Sequence, residues 1–293
     1  FKAYSLGVVT ARDQWVYDVD AGNLGKKIQH LISAYNIDRV KLLNDHGNED
    51  LSSMLDNSIK WSRAVKNDFR RNLNYEYHST KIVECRYRPF TKLFLYFDNH
   101  LNEMQYQLPY LFKGLDKKEN VAINFTVHKQ VDFSVQATDS IFDYGLGARD
   151  TQGLPLYRHT EQGKRIDNIT SWALKKFTEN YQFDKEQKIT KEAIFHYCYA
   201  VLHDPVYREK YALNLKREFP RIPFYADFWQ WAVWGERLMA LHIGYENIEP
   251  FKLERVDIED TKARTAGQQP KAMLKADADA GSITLDSETS LRG

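Results

Sequence analysis

The spacing of apolar residues changes character along the chain, and each change predicts a different element. Tyr4–Tyr17 has short apolar runs on either side of a polar Thr10–Asp13 segment, which predicts two short strands around a turn. Leu24, Ile28, Leu31, Ile32 and Tyr35 then recur at helical spacing and share one face, predicting an amphipathic helix. A polar stretch at Asn44–Asp50 breaks that pattern. Residues 51–73 predict a helix of weaker period, with Trp61, Val65 and Phe69 spaced four apart. From Lys81 the residues turn β-branched and aromatic: Ile82, Val83, Tyr87, Phe90, Phe94, Tyr96 and Phe97 predict two strands or one bent edge strand, interrupted at Pro89. Val121–Val127 and Val131–Val135 predict a hairpin linked at His128–Gln130, and the Gly- and Asp-rich Asp143–Gly153 predicts a loop.

The last third reads as helical. Asn168–Ser171 offers caps before Trp172, Leu174 and Phe177, and Thr190 is placed to cap a helix striped by Ile194, Tyr197, Cys198, Val201 and Leu202. Asp204-Pro205 ends that helix and starts another, because aspartate caps well and proline suits the first helical turn. Tyr207, Tyr211 and Leu215 follow at i, i+4 and i+8; Pro220 and Pro223 then force an extended link to a helix over Phe228–His242. Beyond Lys252 the residues become small and charged, and only Ile283–Leu285 suggests a strand. The sum is an α+β fold, in which a strand-rich N-terminal half (1–167) with a mixed or antiparallel sheet packs against a helical C-terminal half (168–250). Residues 1–250 read as one domain and 251–293 as a poorly packed or truncated C-terminal extension.

Composition narrows the class. The 293 residues are 43% hydrophobic and 14% aromatic, which excludes wholesale disorder. No stretch approaches the roughly 18 apolar residues of a membrane span. Cys85 and Cys198 supply neither a disulfide framework nor a Cys-rich zinc site, and read as buried, reduced thiols of a cytoplasmic protein. The chain opens on Phe1 with no signal peptide, which suggests a piece of something longer.

The net charge of +1 conceals an uneven distribution. Lys60–Lys92 holds nine basic and three acidic residues, a balance of +6, whereas residues 246–293 hold seven basic and ten acidic ones, a balance of −3. The basic segment is either the footprint of a polyanion or an ordinary solvated surface.

Enzyme signatures are missing: no Gly-rich phosphate loop, HExxH, GxSxG, paired-cysteine motif, or acidic-or-Asn–Pro–Pro–aromatic motif occurs, and Gly145-Leu-Gly147 is too short for a dinucleotide fingerprint. His196 and His203 stand seven apart, about 10 Å along a helix, too far to share one metal ion, so they and His242 read as core or interface histidines. Asp132, Asp139 and Asp143 lack the acid–x–lysine context of a nuclease. Whether the chain is itself an enzyme stays open.

Binding candidates centre on Glu84-Cys-Arg-Tyr-Arg-Pro-Phe-Thr-Lys92. On a strand, Arg86 and Arg88 project from one face and Tyr87 from the other, while Pro89 favours an edge. Two guanidiniums on an edge suit phosphate or guanine, because the planar fork bonds two acceptors at once; a salt bridge to Glu84 or another acid is the alternative. Arg12, Arg149 and Arg158 lie in or beside loops. Lys60, Arg63, Arg70 and Arg71 are candidate phosphate contacts. Phe228, Trp229, Trp231 and Trp234, at helical spacing, read as core rather than as a base-stacking platform.

These residues also resemble a known family. Gly7–Tyr17, Tyr87-Arg-Pro-Phe90 with Leu95-Tyr-Phe97, Ile189–His203, Tyr207-Arg-Glu-Lys-Tyr211 and Leu215–Phe224 occur in the order found in the C-terminal region of single-polypeptide Type I-like (Type ISP) restriction–modification enzymes. The resemblance implies a target recognition domain for double-stranded DNA, attached to a nuclease, an ATP-driven translocase and an adenine methyltransferase. S-adenosylmethionine, ATP and Mg2+ would belong to that parent and not to this chain, whose partners would be duplex DNA and the parent's methyltransferase and translocase domains. The family continues past a strand like Ser282–Leu291, where this chain stops at Gly293.

The expectation is therefore sequence-specific duplex binding, with Arg86, Arg88 and Lys92 foremost, Arg12, Arg149 and Arg158 from loops, and Thr10, Arg12 and Asp13 facing the methyltransferase or a flipped base. The rival is a helical interaction module that docks other domains of the parent.

Overall fold

The computed structural model describes residues 1–44, 55–112, 120–160, 162–181 and 188–293. They form two compact units, 1–245 and 246–293.

The first unit opens with β1 (Ser5–Leu6), a helical turn α1 (Asp13–Val16), β2 (Tyr17–Asp18) and the long helix α2 (Ala21–Asn44). Helix α3 (Arg63–Arg70) precedes the hairpin of β3 (Ile82–Arg88) and β4 (Thr91–Tyr96), then the short α4 (Leu108–Leu111). Five further strands lead to the helical part: β5 (Ala122–Thr126), β6 (Val135–Thr138), β7 (Ile141–Phe142), β8 (Thr151–Pro155), β9 (Tyr157–His159), with β10 (Arg165–Asp167) pairing onto β9. Helices α5 (Ser171–Tyr181), α6 (Lys191–His203), α7 (Pro205–Lys210), α8 (Ala212–Leu215) and α9 (Phe228–Ile243) complete the unit.

Two four-stranded sheets organise these elements. One runs β1-β8-β5-β6 and is antiparallel throughout; the other runs β2-β4-β3-β7 and is mixed, since β3 and β7 are parallel. The expected mixed sheet is present, but β1 and β2 enter different sheets, so the N-terminal segment stitches the two together. The residues between them wind into α1 rather than extending as strand.

Each sheet has its own core. Leu24, Ile28, Leu31 and Tyr35 of α2 bury against Val83, Cys85 and Leu95 of the mixed sheet, as their spacing predicts. Ile123, Phe125 and Ala137 of the antiparallel sheet bury against Ile194, Tyr197, Val201 and Leu202 of α6 and Phe228 of α9. The caps act as expected: the Thr190 side chain accepts from the Ala193 N–H at 3.0 Å, and Asp204 accepts from the Val206 N–H at 3.0 Å.

Several elements differ from the sequence expectation. Among the described residues the helix expected over 51–73 covers Arg63–Arg70, and residues 45–54, with most of the polar break and the start of that expected helix, lie outside the described residues. The second strand of the 121–135 hairpin is Val135–Thr138, and the loop expected over Asp143–Gly153 ends where β8 begins at Thr151. Gly153 lies inside that strand because a Cβ there would stand 2.5 Å from Phe142 Cζ; the glycine marks a close approach of the sheets, not a loop.

The second unit is a four-stranded antiparallel sheet in the order β11 (Glu254–Asp257), β14 (Thr289–Arg292), β13 (Ser282–Asp286), β12 (Ala272–Asp277), with α10 (Thr261–Thr265) between β11 and β12. One strand is expected from the sequence and four are found. The others carry charged residues on exposed positions, so they lack an apolar alternation to betray them.

Candidate nucleic-acid interface

The hairpin of β3 and β4 turns through Pro89 and Phe90, with Phe90 held at φ 51°. Two facts about it overturn the expected face of three cations. First, β3 lies between β4 and β7 and is not an edge; Pro89, outside the ladder, costs no strand hydrogen bond. Second, the register shifts between Arg86 and Arg88, so the alternation that would place both on one face is broken.

Arg86 is consequently interior, 1% exposed, with its guanidinium carbon 4.8 Å from the centroid of the Tyr245 ring. Lys92, its cross-strand partner, stands 5.7 Å from the same ring and 3.6 Å from Glu84. Arg88 turns elsewhere: it stacks 3.8 Å over Tyr87 and donates Nη1 to Asp143 Oδ1 at 2.6 Å. Asp143 also accepts from the Tyr17 hydroxyl at 2.9 Å and the Gly145 N–H at 2.7 Å. Burial pushes the Asp143 carboxyl up, and these three donors oppose the shift. Burial also raises the Cys85 thiol and the Tyr17 phenol beneath.

The Thr10–Asp13 segment belongs to the same network. Asp13 accepts from the Tyr87 hydroxyl at 3.0 Å and from the Thr10 hydroxyl. Arg12 is 4% exposed and donates to the Ser62 hydroxyl at the start of α3, and burial lowers its pKa. Thr10 and Arg12 are thus interior, which corrects the expectation of a contact loop. Their polar groups tie the hairpin to α3, and neither can touch a duplex from its present place.

The exposed cations converge on α3 instead. Arg63, Lys66 and Arg70 fall at i, i+3 and i+7 on its solvent face, while Val65 and Phe69 bury behind it. Lys60 and Arg71 flank the helix and are also exposed. Of the anions nearby, Asp68 is engaged by Tyr75 at 2.9 Å and His100 at 2.7 Å. Lys66 is absent from the sequence-level candidates, though its spacing from Arg63 and Arg70 was readable once the helix was granted. Arg149 is exposed in the loop before β8, 3.9 Å from Asp150, and Arg158 is half-buried on β9.

Other candidates resolve as structure. The Tyr199 hydroxyl and His242 Nδ1 are 2.5 Å apart, and His203 Nδ1 lies 2.8 Å from the Tyr199 carbonyl; burial lowers His203 to about 4. Asp132 pairs with Lys216 at 2.8 Å while Asp143 sits in the hairpin network, so the carboxylates do not assemble. Among the described residues no group of three or more His, Cys, Asp or Glu could hold a metal ion, and no helix is long and apolar enough to cross a membrane. Phe228 is core, but Trp234 and Trp172 are largely exposed.

The fold recurs in solved structures. The cryo-EM structure of a DrdV–DNA complex matches all of this chain with a TM-score of 0.90 and 44% identity. A nuclease-deletion mutant of the Type ISP restriction–modification enzyme LlaGI, in complex with a DNA substrate mimic, matches it with a TM-score of 0.80 and 25% identity. The ATP-dependent Type ISP restriction–modification enzyme LlaBIII bound to DNA shares the fold, with a TM-score of 0.79 and 21% identity. The present chain spans 29%, 26% and 19% of those chains respectively. No curated protein matches it. The Type ISP C-terminal specificity domain, by contrast, matches residues 1–293 from end to end, and the chain belongs to that family.

Proposed function

We propose that this chain selects the duplex DNA sequence on which a longer Type ISP restriction–modification protein acts. The observation that carries the reading is the family match over the whole length, joined to a fold shared at 44% identity with a protein solved on DNA. The exposed face of α3, with Arg63, Lys66 and Arg70 flanked by Lys60 and Arg71, holds phosphates and sets register. Arg88, Lys92, Arg149 and Arg158 are the candidates for base edges and nearby phosphates, while Arg12 and Arg86 hold the hairpin in place from within. In the longer protein, S-adenosylmethionine, ATP and Mg2+ serve the methyltransferase, translocase and nuclease parts, and the whole works in the cytoplasm on adenine methylation and cleavage.

Selection of duplexes from a random pool, followed by gel retardation at graded salt, tests this. A retained pool that converges on one motif, with binding that weakens as salt rises, supports it. A folded chain that retards no duplex at moderate salt overturns it. The exposed Trp172 and Trp234 favour a second role, in which the helical half docks the neighbouring domains of the parent. That role predicts a loss of domain association, not of DNA retardation, in Trp172→Ser.

A further inference from the structure

The loop from Asp143 to Asp150, between β7 and β8, bends where its residues least allow it. Ala148 stands at φ 109° and Asp150 at φ 53°, although Gly145 and Gly147 lie just before them. Aspartate tolerates the left-handed helical region near φ of about 50–70°. Alanine at 109° lies beyond it, and such strain persists where the surroundings impose it.

Here they do. The Thr126 and Ser134 hydroxyls each donate to the Gly147 carbonyl at 3.1 Å, and the Gly147 N–H donates to the Thr151 hydroxyl at 2.9 Å. A Cβ on Gly147 would meet the Thr126 and Ser134 hydroxyls at 2.5 Å, so glycine lets the loop press onto the sheet. On the far side, Asp150 Oδ2 faces His128 Nε2 at 3.4 Å. His128 Nδ1 accepts from the Gln130 N–H at 3.1 Å, which leaves the ring proton on Nε2, toward Asp150. Residues 148–150 thus form an arch pinned at one end to the sheet and at the other to the turn that joins β5 to β6.

Arg149 is the crown of this arch, its side chain 55% exposed. Among the described residues its sole contact with an acid runs through Nε, 3.9 Å from Asp150 Oδ2, so both terminal guanidinium nitrogens are free. Lys129, exposed on the turn that His128 ties to the arch, has no ion-pair partner among the described residues. Arg88 adjoins the loop as well: its Nη1 lies 3.2 Å from where a Cβ on Gly145 would stand. A cation that holds a phosphate needs no such fixing, since that contact carries no base information. A guanidinium that must meet two acceptors on one base edge does, because its planar fork discriminates when the backbone behind it is held still.

We propose that Arg149 reads one guanine of the duplex through O6 and N7 in the major groove, and that Lys129 holds a phosphate beside it. The inference rests on the DNA-selecting role and narrows it. Among the candidate cations the strained arch marks Arg149 for base contact, and it adds Lys129, which sequence pattern does not mark. His128 and Asp150 are positioning residues.

Fluorescence anisotropy on the full chain tests this, with the selected duplex and with a set in which each G·C pair in turn is replaced by A·T. Arg149→Ala should melt as the wild type does and lose roughly tenfold of the preference at one G·C pair, the other positions being unchanged. Arg149→Lys keeps the charge without the fork, so it should lose the same preference and keep the salt slope. Lys129→Gln should weaken every duplex alike and flatten the slope of log affinity against log salt by about 0.9. Arg149→Ala that retains every preference, or weakens all duplexes equally, overturns the proposal, as does Arg149→Lys with its guanine preference intact or a selected motif without a G·C pair. A wild-type slope in Lys129→Gln removes the phosphate contact. A wild-type chain that converges on no motif sinks the DNA-selecting role itself, a result distinct from a motif that is selected but indifferent to Arg149.

Discussion

Converting Arg63, Lys66 and Arg70 together to glutamine isolates the electrostatic part of the proposed interface. The three side chains share the solvent face of α3, and Val65 and Phe69 behind them are untouched. Glutamine keeps much of the side-chain length and a similar helix propensity, so each change should alter stability by no more than about 0.5 kcal/mol. If each cation neutralises one phosphate, each contributes about −0.9 to the slope of log affinity against log salt. Losing three flattens the slope by about 2.7, which over a fourfold salt range is roughly a 40-fold smaller loss of affinity. Fluorescence-anisotropy titrations at several salt concentrations read this directly, on the selected duplex and on an unrelated one. The flattening should be equal on both, because phosphate contacts carry no sequence information. Lys175 and Lys176, exposed on α5, provide the control: their glutamine variants should leave the slope alone. An unchanged slope in the triple variant, or a change on the selected duplex only, refutes the assignment of α3 to phosphate.

The remaining predictions concern the scaffold. Arg88→Ala leaves Asp143 buried without its cation; after discounting for the partial exposure of Arg88, urea unfolding should show a loss of about 1–2 kcal/mol, and an unchanged midpoint would contradict the hairpin network. Gly235→Ala drives a Cβ into the His196 carbonyl where α9 crosses α6, so the melting temperature should fall by several degrees despite alanine's better helix propensity, at about 1–3 kcal/mol; a rise would show the helices free to part. The pH dependence follows from His203, which burial, joined by the facing His242 and Arg208 and opposed by backbone hydrogen bonds at Tyr199 and Val135, holds at about 4 against an ordinary value of 6.5. Its folded pKa lies below its unfolded one, so the unfolded chain takes up the proton first. Stability should therefore fall as pH drops from about 6.5 to about 4, by up to about 3 kcal/mol. The burial-lowered His196 and His242 add in the same direction, and His203→Gln should flatten the profile measured by urea unfolding across that range.

What the sequence determined by itself was whatever neighbours in the chain decide. The buried stripe of α2, the Thr190 cap and the Asp204-Pro205 junction are set by residues within a few positions, and all stand where the pattern put them; at Pro89 the pattern left two strands or one bent edge strand, and the structure has two. The ordered motifs from Gly7 to Phe224 likewise carried the family. The tertiary structure alone decided which cations are free. Arg86 looks like a surface arginine until Ile141–Phe142 pairs beside β3 and Tyr245 covers its guanidinium, and a bulge, invisible to any periodic count, sends Arg88 to Asp143. Asn124 lies in a run buried on both faces of its sheet, so alternation had no polar side to display there. Burial is a sum over contacts from distant segments, whereas periodicity and capping are sums over near ones, and that difference in range separates what could be read along the chain from what had to be folded to be seen.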